Sequence, residues 1–133
     1  MHAERFFNGW LMMAVVYLVV GVGFGVYMGA SGDHSLYTVH SHIGLLGWTS
    51  MGLMGLLYRA VPEAARTRPA AWHFWLYQIA VPVMLVAVAC VRSGVSKAGP
   101  IAGISSVAIL VSVLFFAWAM AAARKGAPSR PVE

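Results

Sequence analysis

The sequence predicts an all-α membrane protein, a four-helix bundle whose helices each cross the bilayer. Of its 133 residues, 60% are hydrophobic and 10% are charged, whereas soluble domains carry about 25% charged residues. Four uncharged spans follow one another between Arg5 and Arg124. Each is long enough for the roughly 20 residues of a membrane-crossing helix. We therefore expect residues 1–123 to form a single transmembrane domain with no room for a soluble one.

The first predicted span covers about residues 6–30. Three glycines, Gly21, Gly25 and Gly29, recur every fourth residue on one face of it, and small residues at this spacing let helices approach closely in lipid. The span exceeds the apolar core of a secretion signal, about 7 to 15 residues, so we expect it to be retained. The segment SGDHS then predicts an external turn.

The remaining spans follow in order. The second covers about residues 36–61 and ends before a proline, and the third covers about 70–91. Pro82 lies inside the third span and predicts a kink there. The fourth covers about residues 100–123, and residues 124–133 form a short basic tail. We expect that tail to be cytoplasmic and to contact anionic lipid headgroups.

The basic residues are distributed unequally between the two sides of this arrangement. Only Arg92 and Lys97 fall on one side. The other seven fall on the opposite side: Arg5, Arg59, Arg66, Arg68, Arg124, Lys125 and Arg130. Because cytoplasmic loops carry the excess of Lys and Arg, both termini are predicted to be cytoplasmic in a bacterial inner membrane. The net charge of +5 is explained in this way, without a nucleic-acid partner.

Two histidines, His40 and His42, stand two residues apart at the external start of the second span. Two residues turn a helical side chain by about 200°, so the pair points to nearly opposite faces. One small ion needs ligands that converge, whereas two partners need ligands that diverge. Ionisable residues within a span are costly and favour a functional role. The pattern therefore predicts two ligands for two different partners.

Small residues lie below His40 along the same span. Gly44 and Gly47 follow it at steps of four and seven, and Met51 comes next. A flat macrocycle held by the imidazole needs such a bare surface, and Trp48 is placed to pack against its edge. The other interpretation is close helix packing, which glycines also serve in membranes. The residues alone leave these two interpretations open.

Residues 39–63, VHSHIGLLGWTSMGLMGLLYRAVPE, resemble the second helix of haem-copper oxidase catalytic subunits, especially the nitric oxide reductase and cbb3-type branches. In that family a histidine near the outer end of this helix binds the low-spin haem. The residues that end this helix in the family have matches in this sequence at Gly55, Tyr58, Val61, Pro62 and Glu63. The resemblance thus implies that a histidine of the HSH segment is a haem ligand.

The resemblance also implies an assembly. The family's core has twelve helices in three arcs of four, and its tenth helix carries an HxH pair that binds two haems on either side. Three copies of this four-helix chain would form a homotrimer of similar outline. A haem b would then lie between His40 of one protomer and His42 of the next. The copper-ligand histidines and cross-linked tyrosine of the family have no match here, which favours electron transfer over gas reduction.

The predicted function is therefore that of a b-type cytochrome exchanging electrons with quinol or a periplasmic carrier. The predicted cofactor-binding residues are His40, His42, Gly44, Gly47 and Trp48. Arg92 and Lys97 lie on the same external side, where they could pair with the haem propionates. Whether the protein is itself an enzyme is left open.

Two other functions fit the same residues. Copper or zinc could be held at the outer surface by Asp33, His34, His40 and His42, since imidazoles suit both ions. Alternatively, the chain is a cofactor-free accessory subunit of a respiratory oxidase, and its glycines serve helix packing. Elsewhere, His2 is given no role, and His73, in the segment AWHFW, is expected to anchor an interface with the membrane surface.

Overall fold

A computed structural model describes residues 3–125 of the chain, and these residues are helical apart from short turns. His2 and most of the predicted basic tail lie outside the described residues. The helices are α1 (Ala3–Ser31), α2 (37–60), α3 (Pro62–Ala65), α4 (Arg68–Arg92) and α5 (Gly99–Lys125), with a 3₁₀ turn at Ser96–Ala98. The all-α class predicted from the sequence is confirmed for this range.

Three helical stretches are long and apolar enough to cross a membrane. They are Glu4–Ser31, Arg68–Arg92 and Ser96–Lys125, and they indicate a multi-pass membrane protein. The predicted spans 6–30, 70–91 and 100–123 each lie inside one of them. The first, third and fourth predicted spans are therefore confirmed as long apolar helices.

The second predicted span, 36–61, coincides with α2, but α2 is not a uniform α-helix. It is α-helical over Tyr37–His42, π-helical over Ile43–Ser50 and α-helical again over Met51–Ala60. A π-helix has a wider turn because its hydrogen bonds join residues five apart. None of the three segments is by itself long enough to cross a bilayer.

Local sequence explains where the helices end. Gly32 (φ 69°) follows α1 and Gly94 (φ 93°) lies just past α4, both in the left-handed region that glycine adopts without strain. Val61, at the end of α2, is extended (φ −127°, ψ 74°) because a following proline disfavours helical geometry. The side chain of Thr67 caps α4 by accepting a hydrogen bond from the Ala70 amide.

The four long helices form two antiparallel pairs. α1 packs against the π-helical and second α-helical parts of α2, and α4 packs against α5 along its length. Large buried side chains join the two pairs near the start of α1: Phe6, Trp10, Tyr58, His73 and Tyr77. We call this the basic end, because it carries Arg5, Arg59 and Arg68. The opposite end, with the turns after α1 and α4, is called the histidine end.

Candidate functional site

The first turn and a half of α2 places the two histidines of the HSH segment on different sides of the helix. This segment is regular α-helix from Tyr37 to His42. Val39 and Ile43 are buried and face the core, whereas Ser41 is exposed. At 100° per residue, His40 and His42 therefore flank the buried edge on opposite sides, each half-buried. The divergence predicted from their spacing holds in the structure.

The His42 ring is oriented by its own helix. Its Nδ1 lies 2.7 Å from the carbonyl oxygen of Thr38, one turn earlier. Only an N–H at Nδ1 can donate to that oxygen, so a neutral His42 ring carries its proton on Nδ1 and its free lone pair on Nε2. Histidines that bind metals commonly donate their other ring N–H to a backbone carbonyl in this way. The hydrogen bond thus leaves Nε2 as the ring nitrogen of His42 that is available to another partner.

The His40 ring faces α1. A Cβ atom added to Gly25 would lie 3.1 Å from Cε1 of His40, so the ring rests directly on the glycine backbone. Phe24 contributes a second contact, with ring centroids 6.4 Å apart. The Nδ1 atom of His40 is buried without a hydrogen-bond partner among the described residues. The imidazole is therefore positioned by packing, and its Nδ1 lacks the acceptor that orients His42.

The surface below His40 is an apolar groove between α1 and α2. It consists of two depressions that share Trp48 as a wall, of about 160 Å³ beside His40 and Gly44 and about 470 Å³ beside Gly52 and Leu56. On α2 the groove follows His40, Gly44, Trp48, Gly52 and Leu56 at steps of four. The wide π turn produces this register, because it needs more residues per turn than an α-helix.

Gly47 and Met51 therefore do not lie on that surface. Both are buried, and the side-chain-free face of Gly47 is covered by the Tyr17 ring of α1. Gly44, by contrast, has no neighbouring atom within 4 Å of a would-be Cβ. The structure thus places the open surface at Gly44, Trp48 and Gly52, and assigns Gly47 to helix packing.

The π segment is held by side-chain hydroxyls. Tyr77 of α4 donates a hydrogen bond to the carbonyl oxygen of Leu46 (3.2 Å), and Ser50 donates to that of Leu45 (2.8 Å). Both acceptors lie in the middle of the π segment. The bond from Tyr77 connects this segment, and hence the groove, to the second helix pair.

The histidine end carries Arg92 and Lys97, the two cations predicted to pair with haem propionates. The Arg92 Nε donates to the carbonyl oxygen of Ser35 (3.3 Å), and its guanidinium lies 5.8 Å from the Tyr37 ring centroid. Arg92 is therefore anchored at the start of α2, on the side predicted for haem propionates. Lys97 lies in the 3₁₀ turn and is exposed.

Asp33 and His34 occupy the exposed turn between α1 and α2. The Ser35 amide donates to Oδ1 of Asp33 (2.9 Å) and holds the pKa of this carboxyl below its ordinary value. His34 bonds through Nδ1 to the Gly32 carbonyl (2.9 Å). Within residues 3–125, no three His, Cys, Asp or Glu side chains come together as a metal site. Asp33, His34, His40 and His42 of one chain are therefore not gathered around a copper or zinc ion.

His73 differs most from its expected place. It is fully buried, not at an interface with the membrane surface, so the expected anchoring role is wrong. Its Nδ1 lies 2.9 Å from the Tyr58 hydroxyl, and its ring lies against that of Trp10 at a centroid distance of 4.5 Å and a tilt of 30°. Its neighbours Trp72 and Trp75 are exposed, so the interfacial character of the segment AWHFW belongs to them. Only the fold shows that His73 points into the core, away from the exposed side of the two tryptophans.

Compared with known protein families, curated proteins and solved structures, the chain gives no significant match in any of the three. The resemblance of residues 39–63 to a haem-binding helix therefore depends on the quoted residues alone.

The residues at the histidine end fit a haem in part. His42 has the orientation of a ligand, and the groove beside His40 is lined by the apolar and aromatic side chains that suit a porphyrin. Sites that enclose large organic ligands measure about 300–1,000 Å³, and the depression beside His40 is smaller. One chain thus offers one wall for a macrocycle and not a complete pocket. To enclose a haem, the site would need a second protein surface.

Proposed function

We propose that this chain is a multi-pass membrane haem protein of electron transfer, with α2 as its fourth membrane-spanning helix. The haem, of b type, is bound between His40 of one protomer and His42 of the next in a homotrimer. The observation that carries the proposal is the opposite orientation of the two imidazoles on one regular α-helical segment, Tyr37–His42. A single chain cannot close both around one iron, whereas a ring of identical chains uses both in every protomer.

The arrangement of the remaining residues supports the same site. Gly44, Trp48 and Gly52 give the neighbouring haem a flat apolar wall, and Arg92 is held at the same end to pair with a propionate. His40 and His42 would hold the haem, and a haem held by two imidazoles would supply one-electron transfer. The chain's own contribution is to orient the two rings, His42 by its bond to Thr38 and His40 by its packing on Gly25. Quinol or a periplasmic electron carrier is the proposed electron partner, and both termini are proposed to be cytoplasmic.

The first test is an absorption spectrum of the protein purified in mild detergent, oxidised and then reduced with dithionite. We expect the sharp reduced bands of six-coordinate haem b, and their loss in His40→Ala and in His42→Ala. His34→Ala is the matched control, since this exposed loop histidine takes no part in the haem site. Metal analysis of the same proteins tests the copper or zinc alternative, because a site that uses His34 would lose its ion in His34→Ala, whereas a haem site would be unchanged. Protein that stays colourless when haem is supplied during expression would overturn the haem site, and copper or zinc binding and the accessory-subunit function would be the remaining alternatives.

A mixing experiment tests the sharing between protomers. His40→Ala and His42→Ala chains, carrying different tags, are expressed together and purified through both tags in succession. In a mixed trimer one junction still combines an intact His40 with an intact His42. The trimers selected through both tags should therefore carry about a third of the wild-type haem, one intact junction in each ring. A haem bound within one chain could not be restored at all, so colourless mixed protein would overturn the shared site.

A further inference from the structure

The basic end carries an excess of positive charge. Its six described cations are opposed by two described carboxylates, those of Glu4 and Glu63. The short α3 packs against α5, and α4 and α5 are an antiparallel pair, so the cations that follow α3 and begin α4 lie near the end of α5. Four exposed cations share this corner of the bundle: Arg66, Arg68, Arg124 and Lys125. Clustered cations beside a membrane attract anionic lipid headgroups.

Two tryptophans mark the height at which this corner meets the membrane interface. Trp72 of α4 and Trp118 of α5 are 51% and 54% exposed, and their ring centroids lie 6.4 Å apart. Exposed tryptophans are typical of the boundary between hydrocarbon and headgroups. At 1.5 Å per residue, Arg68 lies about 6 Å and Arg124 about 9 Å beyond this pair along the helices. These cations are therefore level with the headgroups of the adjoining leaflet.

A surface hollow of about 430 Å³ lies on α5 at the same corner. We call it the α5 hollow, and its lining residues are Ala117, Met120, Ala121, Arg124 and Lys125. The two alanines leave the space, since one turn further into the membrane the same face carries the bulky, exposed side chain of Leu114. The hollow is thus apolar toward the middle of the bilayer and cationic at its outer end. A phospholipid has the matching distribution, an apolar chain that ends in a charged headgroup.

We propose that the α5 hollow binds one anionic phospholipid of the leaflet at the basic end. The lipid phosphate pairs with Arg124 and Lys125, and an acyl chain lies over Ala117 and Ala121. Small residues also allow close packing of a second helix, but a parallel α5 of another copy would bring like charges together at the outer end of the hollow. The charge therefore favours a lipid as the occupant. This site goes beyond the proposed haem function and does not depend on it.

The site is tested by native mass spectrometry of the full chain, delipidated in mild detergent and titrated with phosphatidylglycerol. We expect one tightly bound lipid per chain. Arg124→Gln combined with Lys125→Gln should weaken its binding about 25-fold, because each cation near a lipid phosphate contributes about fivefold. The control, Arg5→Gln combined with Arg59→Gln, removes the same charge from the other helix pair at this end and should keep the lipid. Equal weakening in both double variants would show attraction to net charge alone and would overturn the site.

Two further measurements test the place of the acyl chain. Ala117→Leu combined with Ala121→Leu fills the hollow at exposed positions and keeps every cation, so the tight lipid should be lost. In the wild-type protein, glycerol 3-phosphate has the headgroup phosphate without acyl chains and should not displace the lipid. Lipid binding unchanged in the filled variant, or displacement by glycerol 3-phosphate, would overturn the proposal. So would a contact between chains that the leucines disrupt, because the hollow would then serve helix packing.

Discussion

Single glycines determine how closely α1 and α2 approach at the histidine end. Gly21 and Gly25 meet Ile43 and His40, since a Cβ at either position would lie 3.1 Å from those side chains. Gly29, the third glycine of the predicted stripe, has nothing within 4 Å. Two members of the stripe thus serve the close packing that their spacing predicts, and one of the two sets the position of the His40 ring.

We predict that Gly47→Ala destabilises the protein and that Gly44→Ala does not. At position 47 the added methyl would overlap the ring and the Cβ of Tyr17, so turning the ring cannot relieve the clash. Overpacking of this kind costs about 1–3 kcal/mol. At Gly44 the methyl meets open space, and alanine is the better helix former by up to about 1 kcal/mol. The apparent melting temperature in detergent measures both, and equal melting temperatures would contradict the assignment of Gly47 to packing.

At the scale of elements, the π segment of α2 links the groove to the rest of the bundle. The wider turn moves Met51 into the core and brings Gly52 below Trp48. The residues on the helix surface below His40 are therefore Gly44, Trp48 and Gly52. A regular α-helix would instead have aligned Gly47 and Met51 under the histidine. The bond from Tyr77 to the Leu46 carbonyl crosses from α4 to this segment.

We predict that Tyr77→Phe loosens the π segment without unfolding the bundle. The lost hydrogen bond is worth about 0.5–1.5 kcal/mol, while the buried ring is retained. Amide hydrogen exchange of residues 43–51, followed by mass spectrometry, should become faster. Tyr27→Phe is the control, because that side chain is 58% exposed on α1. Equal exchange in the two variants would show that the hydroxyl of Tyr77 does not hold the segment.

At the scale of the whole molecule, the two ends of the bundle differ in charge. Six of the described cations lie at the basic end: Arg5, Arg59, Arg66, Arg68, Arg124 and Lys125. Arg92 and Lys97 lie at the histidine end. The fold thus keeps the two groups that the sequence separates on opposite ends of the molecule, and from this arrangement the positive-inside rule predicts a cytoplasmic basic end.

This orientation predicts the result of cysteine labelling. In a Cys90→Ala background, Ser96→Cys places a thiol in the exposed turn of the histidine end, and Glu63→Cys places one at the basic end without removing a cation. A membrane-impermeant maleimide should label Ser96→Cys in intact spheroplasts, but Glu63→Cys only after permeabilisation. The reverse pattern would place the histidines, and any haem between them, on the cytoplasmic side.

The sequence by itself determined the helical class, three long apolar helices and the divergence of His40 and His42. It did so because hydrophobic runs, glycine punctuation and helical periodicity are local properties of a chain. It could not reveal the π turn, since a helix widens only when packing and cross-helix bonds such as that from Tyr77 favour it. For the same reason the partner of Gly47 and the burial of His73 beside Tyr58 were missed. The assembled bundle decides which side of a helix meets which neighbour. The groove below His40 and the burial of His73 beside Tyr58 are therefore visible only in the tertiary structure.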